Sequence, residues 1–268
     1  MRLIGVGDNT ADVYLHMGRM FPGGNAVNTA AFASRFGHQS SYLGWVGRDR
    51  AGKLILDALQ AEGVDTSHCR QVDGSTAYCE IDLVDGDRVF GESDPGVRLQ
   101  IRLTESDLEF IAEHDLVHTS IYSGLEQQLP QLAASASRLS FDFSDESNID
   151  TLTKTLPYVK IAAISFPGQT SVEVENLLEW AHARGPEIVL VTQGESGAFA
   201  YNGDRVVFQP VVEIDVVDTL GAGDAFLTRF LVTYYSGADL ETAMQGAAHE
   251  AAEACRSYGA FGHGILIN

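Results

Sequence analysis

Short apolar runs alternate along the chain with segments whose apolar positions recur every three or four residues. The runs fall at residues 3–6, 41–46, 116–121, 139–143, 161–165 and 188–192, and each is the length of a buried strand. Helical spacing fills 26–36, where Val27, Ala30, Ala31 and Ser34 share a face, and recurs at 51–62, 106–113, 125–135 and 171–184. Strands that are apolar throughout, separated by helices, predict an α/β fold: a mainly parallel sheet covered on both faces. Two helices are predicted near the C-terminus, with stripes Leu227, Phe230, Leu231, Tyr234 and Met244, Ala247, Ala248, Ala251. The small residues of the second stripe permit close approach of a neighbouring helix or of a flat ligand ring.

Two stretches break the rhythm. Residues 11–22 are short and mixed. Residues 76–91 alternate like a one-sided strand, turn at Asp85, Gly86 and Asp87, and resume at Arg88. That is hairpin chemistry, and it fits either a lid over a site or a plain edge hairpin. No repeat and no Ser/Gly/Pro linker divides the chain. The expectation is one domain over 1–268 with lid segments near 11–22 and 72–98.

Composition narrows the function. The chain has 268 residues, 45% hydrophobic, with 17 Lys and Arg against 37 Asp and Glu for a formal charge of −20. Such a surface repels phosphate backbones and anionic lipid, which disfavours nucleic-acid and membrane partners. No apolar run reaches the roughly 18 residues of a membrane span. Cys69, Cys79 and Cys255 form no C-x-x-C pair, so reduced thiols in a cytoplasmic protein are expected.

The strongest candidate chemistry is Asp218-Thr-Leu-Gly-Ala-Gly-Asp224-Ala-Phe226, between the strand-like VVEIDVV at 211–217 and an apolar helical stripe. Gly221 and Gly223 let bare backbone approach a ligand, and the helix that follows offers free N–H groups to an anion. Asp224 is either a partner for the helix dipole or a proton acceptor beside a phosphate. A P-loop is absent, and both Gly221-Ala-Gly223 and Gly5-Val-Gly7 lack the third glycine of a dinucleotide fingerprint.

In Phe21-Pro-Gly-Gly-Asn25-Ala-Val-Asn28, Gly23 and Gly24 permit a tight turn, and Asn25 and Asn28 point the same way from a helix start. Two carboxamides suit sugar hydroxyls, although Asn25 alone would read as a helix cap. Asp8 and Asp12 flank the carboxyl end of the first strand, where open α/β sheets bind ligands. Thr192, Gly194 and Gly197 form a Gly-rich turn after a strand. His114 and His118 have metal-ligand spacing but lie at and within a strand pattern, which argues against ligation. His249 reads as surface.

These motifs, in this order and spacing, resemble the PfkB, or ribokinase-like, carbohydrate kinases. The first signature is FPGGNAVNTAAFASRFG from Phe21 with LGWVGRDRAG from Leu43; the second is DTLGAGDAF from Asp218. Within the family the likeness is closest to the subgroup acting on fructoselysine, carried by VGDNTADVY, DRVFGE, DLVHTSIYS and SFDFSDE. The resemblance implies an α/β/α core with a small β-lid, and ATP-dependent phosphorylation of a primary sugar hydroxyl. It casts Asp224 as catalytic base and Gly221, Ala222 and Gly223 as an anion hole. Asp8, Asp12, Gly23, Gly24, Asn25 and Asn28 become the sugar set, with Arg88 as a lid contact. Thr192, Gly194 and Gly197 become the nucleotide loop.

The resemblance further implies Mg2+, a monovalent cation such as K+ beside Asp218, and leaves a homodimer open. The family's N-x-x-E element after residues 161–165 is missing here. Asn176 and Glu179 have its spacing, but inside an amphipathic helix. Acceptors such as fructose, ribose or adenosine, or a non-catalytic sugar-binding role, are the alternatives. Glu80, Asp82, Glu92 and Asp94 on the hairpin would favour a cationic amino-sugar over a neutral one.

Overall fold

The computed structural model describes residues 1–84, 87–146 and 148–267, and at 83, 84, 87 and 88 the backbone alone. The first strand, β1 (Arg2–Val6), lies inside an eight-stranded sheet. Beside it run β4 (Gln39–Leu43) and β9 (Leu116–Ser120), followed by β10 (Leu139–Asp142), β11 (Ile161–Ser165) and β12 (Ile188–Thr192), all parallel. Antiparallel β13 (Ala198–Tyr201) and β14 (Val206–Gln209) complete one edge. The strands alternate faces. Val189 and Val191 join the core beneath α3 (Glu105–Ala112), α4 (Leu129–Ser135), α5 (Ile149–Thr155) and α6 (Ser171–His182). Ile188 and Leu190 face the other way, toward α7 (Ala222–Tyr235) and α8 (Leu240–Ala254). Both faces are covered, as the continuous apolar runs require.

A second sheet of five strands holds the two rhythm-breaking stretches. Its order is β15 (Ile265–Leu266), β3 (Arg19–Gly23), β2 (Thr10–Tyr14), β7 (Tyr78–Val84) and β8 (Asp87–Asp94). The hairpin predicted at 76–91 is the β7–β8 pair; residues 85 and 86 of its turn lie outside those described. The C-terminal strand β15, invisible to sequence pattern, closes the sheet on β3 and is tied down by Arg50 donating to the Ile267 carbonyl.

Three expectations fail locally. The run 41–46 is not one strand: it breaks at Gly44, and β5 (Trp45–Gly47) pairs instead with β6 (Arg70–Val72). A β-carbon at Gly44 would sit 2.0 Å from the Tyr42 hydroxyl, so the chain turns where only glycine fits. Residues 211–217 form no strand, and Val216 and Val217 are exposed. The helix predicted from 125 starts at Leu129 behind a short 3-10 turn, with Pro130 in its first turn. No helix of the described residues is long and apolar enough to cross a membrane.

Candidate active site

The parallel strands end on one edge of the main sheet, where Asp8, Ser120, Asp142, Ser165 and Thr192 gather. Asp8 follows β1 and is 1% exposed. Its Oδ2 accepts from the Asn25 amide N–H (2.6 Å). Its Oδ1 accepts from the Ala26 N–H (3.2 Å) and the Ser120 and Ser123 hydroxyls (2.8 and 3.0 Å). Four donors occupy a carboxylate that has about four acceptor sites.

Asp8 therefore caps α1 (Asn25–Arg35) from the end of β1. The cap expected of Asn25 is absent. The N-cap is Gly24, at φ 105°, and it makes no side-chain bond. A β-carbon there would lie 2.5 Å from the Asn9 α-carbon. Relieved of capping, Asn25 turns its side chain into the cleft.

That turn builds the centre of the site. Asn25 Nδ2 donates to Asp142 Oδ2 and to Asp224 Oδ1, both at 2.7 Å, and Asn28 Nδ2 donates to Asp224 Oδ2 at 2.6 Å. Among the described residues, the buried Asn28 Oδ1 has no hydrogen-bond partner. Asp142 also accepts from the Ser144 N–H at 2.7 Å. Burial pushes Asp142 up to about 6, with the Asp8 charge adding to the rise and the Ser144 and Asn25 donors opposing it. Asp224 is raised well above the ordinary carboxylate range. Burial is the main cause; Asp142 and Asp8 push the same way, against Asn28 and Asn25. A carboxylate that is both basic and held by oriented donors is built to take a proton.

Asp224 stands in the first turn of α7, whose N-cap is Gly221 at φ 79°. A β-carbon on Gly221 would strike Ala260 at 2.3 Å, whereas one on Gly223 would meet nothing within 4 Å. The space over Gly223 is open. Among the described residues, the N–H groups of Gly221, Gly223 and Asp224 have no protein acceptor, while that of Ala222 turns back to the Thr219 carbonyl at 3.2 Å. Free N–H donors at this helix start are therefore those of Gly221, Gly223 and Asp224, the kind of group that can meet an anion.

Asp218 clamps this turn. It is 8% exposed and accepts from the Leu220 N–H (3.0 Å), the Gly259 N–H (3.1 Å) and the Tyr14 hydroxyl of β2. The five-stranded sheet is thereby tied to the loop that leads into α7. Asp12, on β2, lies against Gly23 of β3, where a β-carbon would come within 2.0 Å of its Oδ2. Arg88 belongs to β8 by its backbone, and its side chain lies outside the described residues. Thr192 ends β12 with its hydroxyl 3.2 Å from that of Ser165. Gly194 is open and exposed, and Gly197 packs under the Gln209 carbonyl.

Of the hairpin acids, Glu92 accepts from Tyr78, Asp94 from the Gly96 N–H, and Asp82 faces His16 at 3.7 Å. His114 and His118 do not converge: His114 contacts the Phe110 carbonyl and Ser41, His118 contacts Ser140 and Asn25. His249 is exposed. Sequence reasoning missed Asp142 and His118 as members of the site. The available signal was their place at the end of β10 and within β9, the two strands that follow β1, with Asp8 at its end, across the sheet.

A family model described as pfkB family carbohydrate kinase matches residues 1–262. The chain is 43% identical over 268 residues to the fructosamine kinase FrlD of Bacillus subtilis (strain 168), spanning 98% of this chain and 94% of that protein. It is 36% identical over 256 residues to the fructoselysine 6-kinase of Shigella flexneri, spanning 96% and 98%. A ribokinase of Arabidopsis thaliana, solved with ribose and ATP, shares the fold with a TM-score of 0.84 at 22% identity, over 97% of this chain and 94% of that one. Matched along nearly its whole length, with its acidic residue at the head of a glycine-rich helix start, this chain belongs to the pfkB family of carbohydrate kinases.

Proposed function

We propose that the protein transfers the γ-phosphoryl group of ATP to the primary hydroxyl of a fructosamine, with fructoselysine as acceptor and its 6-phosphate as product. The observation that carries the chemistry is the Asp224 carboxylate, basic by burial and held by Asn25 and Asn28 beside three backbone N–H groups that have no acceptor among the described residues. The names of the relatives carry the acceptor.

Phosphoryl transfer has a loose transition state, so positioning and charge stabilisation supply most of the rate. Asp224 orients the acceptor hydroxyl and receives its proton as the new O–P bond forms and the bond to ADP breaks. The N–H groups of Gly221, Gly223 and Asp224 accept the charge that builds on the phosphoryl oxygens. Asp12, Gly23 and Asn28 line the sugar side. Asn25 and Asp8 fix those groups in place. Thr192, Gly194 and Gly197 border the nucleotide side. The five-stranded sheet closes as a lid that keeps water from the phosphoryl group.

The open cradle over Gly223 fits a phosphate. No group of three or more His, Cys, Asp or Glu among the described residues forms a metal cage, which suits Mg2+ carried in on phosphates and waters. Bound so, it would neutralise phosphate charge. A monovalent cation at Asp218 would share that carboxylate with Tyr14, Leu220 and Gly259. A fall in turnover when K+ is replaced by a bulky organic cation would support it.

The test is ADP release with Mg-ATP across fructoselysine, another fructosamine, fructose, ribose and adenosine. Turnover strongest on fructoselysine, with phosphate on O6, is the expected result. Preference for fructose, ribose or adenosine would discard the fructosamine reading and keep the kinase. ATP binding without turnover on any acceptor would favour a sugar-binding protein on this scaffold.

A further inference from the structure

Behind Asp224 runs a hydrogen-bonded chain that phosphoryl transfer itself does not use. Asn25 Nδ2 has two hydrogens, and both are committed, to Asp142 and to Asp224. Its Oδ1 must then face the remaining neighbour, His118 Nε2. An amide oxygen only accepts, so Nε2 carries the proton. A neutral imidazole has one N–H, which leaves Nδ1 bare to accept from the Ser140 hydroxyl at 3.1 Å. The order is fixed from end to end: Ser140 to His118, His118 to Asn25, Asn25 to both carboxylates.

We propose that His118 is a positioning residue, whose Nε2–H locks the Asn25 amide with both of its N–H bonds aimed at Asp142 and Asp224. The proposal rests on Asp224 being the base and goes beyond it by naming what holds that base in its working state. His118 is 0% exposed, inside β9. Burial lowers it to about 3, so it stays neutral and carries no proton in the reaction. Its role is geometric. A rotated Asn25 amide would present its oxygen to two carboxylates, and a loosened one would drop a donor that Asp224 uses.

The sign of the effect follows from what faces Asp224. Asp142 from β10 and Asp8 from the end of β1 raise its pKa; Asn25 and Asn28 from α1 lower it. Losing the Asn25 donor therefore makes the carboxylate protonate more easily. In His118→Leu the acid limb of the kcat profile moves up by about one pH unit, and kcat on that limb falls about tenfold. The KM for ATP changes by less than about twofold, because in the proposed mechanism Asp224, at the end of this chain of bonds, acts on the acceptor hydroxyl. His118→Gln restores a donor of similar reach and returns the limb toward its original position. In an Asn25→Ala background, His118→Leu adds no further shift, since the amide that links it to Asp224 is gone.

Acid limbs unchanged in His118→Leu would mean that the ring only fills space, and would overturn the proposal. The tautomer gives a readout that needs no turnover. Nitrogen-15 NMR of the wild-type imidazole should show neutral, Nε2-protonated His118 across neutral pH. An Nδ1-protonated or charged ring overturns the lock even if the leucine variant fails to fold. Asp224→Asn retaining full turnover would sink the base assignment instead, while the tautomer would still report on the lock.

Discussion

Asp224 and Asp142 share one amide donor yet differ in what they do. Asp224 has two side-chain amides on its two oxygens and faces the open helix start. Removing its charge in Asp224→Asn should leave nucleotide binding within about twofold by calorimetry. It should lower kcat by at least about 100-fold, the usual scale for a lost general base. Near-normal turnover would remove Asp224 from the mechanism.

Asp142 is a stability statement as well as an electrostatic one. Its folded value of about 6 exceeds the ordinary 3.8, so the native state holds a proton that the unfolded chain releases. The associated stability is complete below the unfolded value and lost as pH rises through 6. Asp142→Asn should therefore gain about 2 kcal/mol at pH 8 by thermal or denaturant unfolding, with the advantage shrinking toward pH 4. The same change removes a negative neighbour of Asp224, so its acid limb should move to lower pH. No stability gain at pH 8 would show that Asp142 ionises without strain.

Helix α1 is the element that assembles the site. Its first turn carries Asn25 and Asn28, and its start is capped by a carboxylate from another strand. A buried anion at a helix N-terminus, with four donors, stabilises far more than a surface cap. Asp8→Asn should destabilise the fold by about 2–4 kcal/mol, because donors matched to two carboxylate oxygens then meet an amide. It should also lower the acid limb of kcat, the opposite direction to His118→Leu, since the Asp8 charge raises Asp224. Unfolding curves and pH profiles of the two variants separate a cap from a sugar ligand. A sugar ligand would show itself as a raised KM for sugar with the fold intact.

At the scale of the molecule, the −20 charge acts on what approaches the site. A fructosamine amine is cationic, and Glu80, Asp82, Glu92 and Asp94 sit on the β7–β8 hairpin. Neutralising all four should reduce the kcat/KM preference for fructoselysine over fructose and flatten its dependence on ionic strength. An unchanged preference would place amine recognition elsewhere.

The layered α/β fold is written in the order of residues, since apolar runs of strand length between amphipathic helices have few other ways to bury both sheet faces. That order also placed Asp224 and the glycines at a helix start, because that motif is contiguous and its geometry is local. The tertiary structure alone decided what strand ends bring together. Asp8 caps a helix that begins seventeen residues later, Asp142 and Asp224 meet across one amide, and His118 lies behind that amide. Each depends on the register of parallel strands, and no local periodicity encodes which loops share an edge. For the same reason the exposed loop at 211–217 looked like a strand. Its apolar residues carry β propensity, but among the described residues no neighbouring strand takes up their backbone hydrogen bonds.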